Sequence, residues 1–156
     1  MKPALLAEDN ADDAFIMERA WKKAGIQNTL RVVTDGQQAV DYLGNTGEFG
    51  DREKNPAPCL VLLDIKLPFR SGLEIVDWMR SFEASRAIPA VLLISSSTDM
   101  DTQHVHKLGG HTYLVKPPTP EKLMQMLHDL KEFQLRNNET PSDCLVVASG
   151  KSIEQE

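Results

Sequence analysis

The sequence has few of the features that mark secreted, membrane-bound or nucleic-acid-binding proteins. It contains two cysteines, Cys59 and Cys144, which are too few for a disulfide framework, and we expect reduced thiols. No apolar run is long enough to span a bilayer, and the first ten residues, MKPALLAEDN, reach acidic residues too early for a secretory signal. The net charge of −6 leaves no basic surplus to attract nucleic acid or anionic lipid. These absences favour a cytoplasmic protein that binds neither membrane nor nucleic acid.

Short apolar runs alternate along the chain with longer stretches of helical periodicity, and 156 residues are enough for one well-packed domain. A polar segment rich in Gly and Pro, NTGEFGDREKNPAP, is typical of a long surface loop. The pattern predicts strands at 4–7, 30–33, 59–63, 89–94 and 112–115, and helices at about 12–24, 37–43, 73–82, 99–108 and 120–135.

Five strands that alternate with five helices indicate parallel βα units. The runs CLVLL and AVLLI are apolar without interruption, as expected of strands that are buried on both faces. The predicted fold class is therefore α/β, with a doubly wound five-stranded parallel sheet. In such sheets ligands bind outside the carboxyl ends of the strands.

Charged residues stand at several of these strand ends. Glu8 and Asp9 follow the first strand, Asp64 follows the third, and Lys116 follows the fifth. Carboxylates 4–5 Å apart repel by about 3–4 kcal/mol per pair at an effective dielectric near 20, and a divalent cation such as Mg²⁺ removes most of that cost. A cation, a lysine and a nucleophilic carboxylate together suit the transfer of a phosphoryl group.

Each of these residues also has a plainer interpretation. An Asp after an apolar strand is more often a turn or helix-capping residue, Glu8 and Asp9 together suit the start of a helix, and a lysine before proline is usually a surface residue. Only their coincidence at one predicted sheet edge favours a functional site.

Three motifs, LLAEDNADD, LLDIKLPFRSG and YLVKPP, resemble those of the receiver domain of two-component response regulators, from residue 4 to about 135. The resemblance implies a flavodoxin-like (βα)5 fold with strand order 2-1-3-4-5. It implies that Asp64 is the phosphoacceptor and that Glu8, Asp9, Asp64 and the backbone carbonyl of Lys66 hold Mg²⁺. It further implies that Lys116 pairs with the phosphoryl group, that the bond from Lys116 to Pro117 is cis, and that Tyr113 is the aromatic residue of the switch.

One position departs from the family pattern. Receivers usually carry Thr or Ser at the end of the fourth strand, but spacing from Asp64 and Lys116 places that position at Ile94, and Ser95 follows it. Neighbouring strand residues point to opposite faces, so we expect Ser95 to replace the hydroxyl only if a bulge or a one-residue slip re-aims it. The alternatives are that Ser95 serves or that the switch is partly uncoupled. Lys66 and Ser96 occupy variable positions that could tune the phosphoryl lifetime.

The long loop and the aromatic residue near the end of the fifth helix resemble stand-alone receivers that partner bacterial phytochrome-type histidine kinases. This implies a homodimer through the predicted fourth helix, the fifth strand and the fifth helix. We expect a receiver domain at 1–135 and a tail at 136–156 that is mobile or extends an interface, in which CLVV could add a strand. Phe49 and the run EFQL have no obvious site of burial.

The predicted function is a single-domain response regulator that accepts a phosphoryl group from a sensor histidine kinase and signals by protein contacts. It is not an enzyme beyond autophosphorylation and self-dephosphorylation. One alternative is a phosphorylation-independent binding module, which Ile94 favours. Another is a phosphatase of the haloacid-dehalogenase type. That chemistry requires an acid two residues after the nucleophile, and Lys66 stands there instead. We expect His104, His106 and His111 to be solvated or partly packed and not metal ligands.

Overall fold

The five apolar runs form one parallel sheet in the order β2-β1-β3-β4-β5 in the computed structural model, which describes residues 1–95, 112–136 and 145–148. The strands are β1 (Ala4–Ala7), β2 (Leu30–Val33), β3 (Leu60–Asp64), β4 (Ala90–Ser95) and β5 (Thr112–Lys116). The described helices are α1 (Ala11–Lys23), α2 (Gly36–Gly44), α3 (Gly72–Ser81) and α4 (Pro120–Arg136). The predicted fold class and strand order are confirmed. The predicted helix at 99–108, Ser96 and the three histidines at 104, 106 and 111 lie outside the described residues.

Three strands extend one residue further than the apolar pattern indicates. Asp64, Ser95 and Lys116 are the last residues of β3, β4 and β5, whereas the sequence placed them after the strands. In the parallel ladder Asp64 is in register with Leu93, and Ser95 is in register with Lys116. The backbone ladder includes these polar residues because its hydrogen bonds do not depend on side-chain polarity.

Side-chain caps begin three of the helices close to the carboxyl edge of the sheet. Asn10 caps α1 through the Asp13 amide, Asp35 caps α2, and Ser71 caps α3 in a capping box with Glu74. These caps fix where each helix starts relative to the strand end before it.

A hydrophobic core lies on each face of the sheet. One face packs β-strand residues against α2 and α3 around the fully buried Tyr42 and Ile75. The other packs against α1 and α4, with Trp21 and Leu123 in its centre. Burial on both faces explains why the strands read as unbroken apolar runs.

The long loop before β3 is less open than its composition suggests. It contains a short 3-10 helix, Gly47–Phe49, and the Phe49 ring lies 5.3 Å from the ring of Tyr42. The Arg52 guanidinium donates hydrogen bonds to the carbonyls of Tyr42 and Leu43. The expectation that Phe49 has no site of burial is therefore wrong: it packs against the α2–α3 core.

Residues 145–148 dock at the edge of the sheet opposite the carboxyl ends. Val147 forms an antiparallel bridge with Ile26, and the side-chain oxygen of Asn28 accepts a 2.7 Å hydrogen bond from the Val146 amide. Leu145 and Val147 pack against the core on the α1–α4 face. This part of the tail adds an isolated antiparallel bridge, and not a further strand, to the fold.

The expectation of two reduced thiols is wrong for the described part of the chain. Cys59, directly before β3, is disulfide-bonded, and the described residues include no free cysteine. The sequence contains one other cysteine, Cys144, which lies outside the described residues.

No helix within the described ranges combines the length and the apolarity that a membrane crossing requires.

Candidate functional site

Three strand ends bring charged side chains together at the carboxyl edge of the sheet. The Lys116 ammonium, at the end of β5, lies 2.7 Å from Glu8 Oε1 and 2.7 Å from Asp64 Oδ2. Glu8 is 2% exposed and Asp64 is 9% exposed, so both carboxylates have lost most of their solvation. The edge therefore holds buried charges, which fold stability alone does not favour.

Oxygen atoms of Glu8, Asp9 and Asp64 form a compact group that could hold a metal ion. One ligand oxygen from each residue lies within 4.8 Å of the other two; Asp9 is exposed, and the other two are buried. An all-oxygen donor set with a net negative charge fits a hard divalent cation such as Mg²⁺ or Mn²⁺. Lys66 lines the same cavity of about 250 Å³.

Burial determines the protonation of Glu8. The pKa of Glu8 is raised from 4.5 to about 7: desolvation on burial is the largest cause, the hydrogen bond and charge of Asp64 also raise it, and the Lys116 ammonium lowers it. Near neutral pH, the metal-free site therefore holds this carboxyl group in both protonation states.

The environment of Lys116 favours its charged form. Burial lowers the pKa of Lys116, but hydrogen bonds and attraction from Asp64 and Glu8 outweigh the burial and raise it above 10.5. A third carboxylate, Asp13 Oδ2 on α1, lies 3.1 Å from the ammonium. Lys116 thus remains a fixed positive charge facing Asp64, and its bond to Pro117 is cis, as the resemblance implies.

The loop after Asp64 is held by close backbone contacts. The Lys66 amide donates to Asp64 Oδ1 at 3.0 Å, which orients the carboxylate. Gly72 lies so close to Asp64 that an added Cβ would approach its carbonyl oxygen to 2.5 Å, so no larger residue fits there without displacement. Phe69, at the exposed turn of this loop, has a φ of 70° and an exposure of 83%.

The end of β4 places the two candidate switch residues differently. Ile94 is 2% exposed and belongs to the α2–α3 core. Positions 93 and 95 are two residues apart in β4 and therefore belong to the same face of the strand. Position 93 is in register with Asp64, and position 95 is in register with Lys116. Tyr113 is partly buried and packs against the α2–α3 core.

The described sheet and most of its helices match one known family. The match, to the response regulator receiver domain, covers residues 4–128. The chain belongs to the response regulator receiver domain family. The resemblance inferred from the three motifs is thereby confirmed.

Several individual proteins resemble this receiver over most of their length. The probable methanogenesis regulatory protein FilR2 of Methanothrix harundinacea is 35% identical over 137 residues, which cover 88% of this chain and 86% of FilR2. The structure of the bacteriophytochrome response regulator AtBRR has a TM-score of 0.74 and 35% identity, and the match covers 83% of this chain and 92% of AtBRR. The Mn²⁺-bound form of response regulator Rcp1 has a TM-score of 0.67 and 26% identity, with coverages of 96% and 100%.

In this receiver, the sequence predicted the positions of Glu8, Asp9, Asp64 and Lys116 at one sheet edge, and the structure brings them together. It did not single out Asp13. The sequence did contain a signal for Asp13. With Asn10 as the cap of α1, Asp13 is the third residue of the helix and lies in its first turn, close to the strand ends. Asp13 was missed because its partner, Lys116, is 103 residues away in sequence.

Proposed function

We propose that this receiver accepts a phosphoryl group on Asp64 from the phosphohistidine of a sensor histidine kinase, with Mg²⁺ held by Glu8, Asp9, Asp64 and the carbonyl of Lys66. The supporting observation is the 2.7 Å contact between Asp64 and Lys116 inside a group of buried carboxylates. The Mn²⁺-bound Rcp1 structure supports a divalent cation in a related protein.

The proposed reaction is a displacement at phosphorus. A carboxylate oxygen of Asp64 attacks the phosphorus atom, the bond from phosphorus to the histidine nitrogen breaks, and the imidazole leaves with the electron pair. Lys116 neutralises charge on the phosphoryl oxygens, and the Lys66 amide orients Asp64 during the attack. A bound divalent cation would supply further charge neutralisation and in-line orientation.

The proposed output is signalling through protein contacts and not turnover of a substrate. We assign the switch hydroxyl to Ser95, because its position stands in register with Lys116, whereas Ile94 is packed in the core. Tyr113, in the neighbouring strand, is the proposed aromatic reporter of the switch.

The proposed partner is a phytochrome-type sensor kinase. Support comes from the similarity to the bacteriophytochrome response regulator AtBRR at 35% identity. We further propose a receiver domain at 1–135, a tail at 136–156, and a homodimer through the predicted fourth helix, β5 and α4. The proposed location is the cytoplasm, because a phosphohistidine donor is made from ATP.

The direct test is incubation of the purified chain with Mg²⁺ and either acetyl phosphate or a phosphorylated sensor kinase, followed by intact mass and peptide mapping. We expect one phosphoryl group on Asp64, none in Asp64→Asn, and normal labelling in the control Asp77→Asn, which removes an exposed acid from α3. Absence of label in the wild type under both donors would leave the phosphorylation-independent binding module as the better interpretation.

A further inference from the structure

Lys116 has one carboxylate partner that the proposed phosphoryl site does not require. A lysine ammonium has three N–H donors, and in this structure three carboxylates face them: Glu8 and Asp64 at 2.7 Å and Asp13 at 3.1 Å. Glu8 and Asp64 belong to the compact oxygen group that suits a cation. Among the described residues, Asp13 is not part of that group and therefore remains available to Lys116.

The backbone of Asp13 is held in place by the start of α1. Its amide donates to the side chain of Asn10 at 3.0 Å, and the Asn10 amide in turn donates to Glu8 Oε2 at 3.3 Å. Asp13 is thus connected to Glu8 through the helix cap. A lysine side chain, in contrast, is a flexible stem with a point charge at its end, and it needs an acceptor to hold it in one place.

We propose that Asp13 is a positioning residue that holds the Lys116 ammonium over Asp64 while Glu8 and Asp64 engage a cation and a phosphoryl group. Two N–H donors of Lys116 turn from Glu8 and Asp64 toward the phosphoryl oxygens, and the third stays on Asp13. This inference rests on the proposed function, since it assigns a role within the same site.

If Asp13 acted only through its charge, its removal would have the opposite effect from the removal of a positioning residue. Asp13 is an anion beside a site for an anionic group, so loss of its charge alone would strengthen the binding of a phosphoryl analogue. Asp12 is the matched control: it lies in the same first helical turn and carries the same charge, but it is not among the three carboxylates bonded to Lys116. Comparison of Asp13→Asn with Asp12→Asn therefore separates positioning from charge.

The test is the affinity of beryllofluoride for the full chain with Mg²⁺ present, followed by 19F NMR. We expect Asp13→Asn to bind beryllofluoride roughly two- to fivefold more weakly than Asp12→Asn, the range that a partly exposed ion pair allows, with partial recovery in Asp13→Glu. A second measurement needs no metal: we expect the 15Nζ signal of Lys116, ordered in the wild type and in Asp12→Asn, to broaden in Asp13→Asn.

The outcomes distinguish the two proposals. If Asp13→Asn binds beryllofluoride as well as or better than Asp12→Asn, and the Nζ signal is unchanged, the positioning role is excluded and phosphoryl acceptance stands. If the wild type itself fails to bind beryllofluoride, the proposed function is rejected. The Nζ signal then still decides whether Asp13 holds Lys116.

Discussion

The two edges of the sheet hold buried polar groups in opposite ways. At the carboxyl edge, the buried carboxylates Glu8 and Asp64 share one lysine. At the opposite edge, a buried polar side chain is the neutral Asn28, whose side-chain amide donates to the Lys2 carbonyl at 2.7 Å and whose side-chain oxygen accepts from the Val146 amide. The indole N–H of Trp21 donates to the Asn28 backbone carbonyl at 2.8 Å.

On the proposed function, the carboxyl edge carries the chemistry and the opposite edge serves the fold. The neutral network satisfies its donors and acceptors without any added group, and within the described residues no buried side-chain polar atom lacks a hydrogen bond. The charged edge has an excess of carboxylates that a cation would relieve. We therefore expect substitutions at the carboxyl edge to change chemistry more than stability, and substitutions at the opposite edge to do the reverse.

Asp64→Asn should give the largest effect. We expect phosphoryl acceptance to be lost, while the unfolding free energy of the metal-free protein rises by about 1 kcal/mol, since one of several like charges is removed. Lys116 keeps Glu8 and Asp13 as partners. Intact mass and urea unfolding measure the two effects, and a loss of stability instead would contradict the contrast between the edges.

The stability of the metal-free protein should fall as pH rises. Because the pKa of Glu8 is raised from 4.5 to about 7, the folded state binds more protons than the unfolded state between these values. The contribution of Glu8 to the unfolding free energy is therefore greatest below pH 4.5. It decreases by up to about 3 kcal/mol as the pH rises through 7. The raised pKa of Lys116 adds no slope here, since its contribution is lost only above pH 10.5.

Urea unfolding from pH 5 to pH 8 measures this slope. Glu8→Gln should reduce it, and saturating Mg²⁺ should reduce it too, because a cation requires the ionised carboxylate. A wild-type slope that persists in Glu8→Gln would assign the titration to another group.

Asn28→Ala should destabilise the fold by about 2 kcal/mol, because it removes the two hydrogen bonds that the buried Asn28 side chain makes with the Lys2 carbonyl and the Val146 amide. The neighbouring exposed side chain provides the control: Gln27→Ala should change the unfolding free energy by less than about 0.5 kcal/mol. Phosphoryl acceptance should be normal in both. Reduced acceptance in folded Asn28→Ala would show that the two edges are coupled.

Most of the sheet could be predicted because parallel strands buried on both faces must be apolar throughout, and CLVLL and AVLLI are. The site followed from the same rule, since polar residues at the carboxyl ends of such strands meet at one edge. The strand ends were misplaced at Asp64, Ser95 and Lys116 because ladder pairing continues past the last apolar side chain.

What the sequence did not predict depends on contacts between distant segments. The burial of Phe49 requires Tyr42 and the turn of Gly47–Phe49, which local composition does not report. The docking of Val146 depends on Asn28, 118 residues earlier, whose short polar side chain looks like an ordinary turn residue in sequence. The same limit applies to the pairing of Asp13 with Lys116.

The weakest expected effect belongs to the segment at 145–148. Val147 is half-buried against the α1–α4 core and bridges Ile26, whereas Val146 is 39% exposed. Val147→Ala should therefore cost about 1 kcal/mol and Val146→Ala less than about 0.5 kcal/mol, because the backbone hydrogen bonds of this segment remain in both and only the buried side chain loses contacts. Urea unfolding of the two variants compares adjacent valines that differ mainly in burial. Equal effects would mean that the backbone bonds from Gln27 and Ala148, and not side-chain packing, hold the segment at this edge.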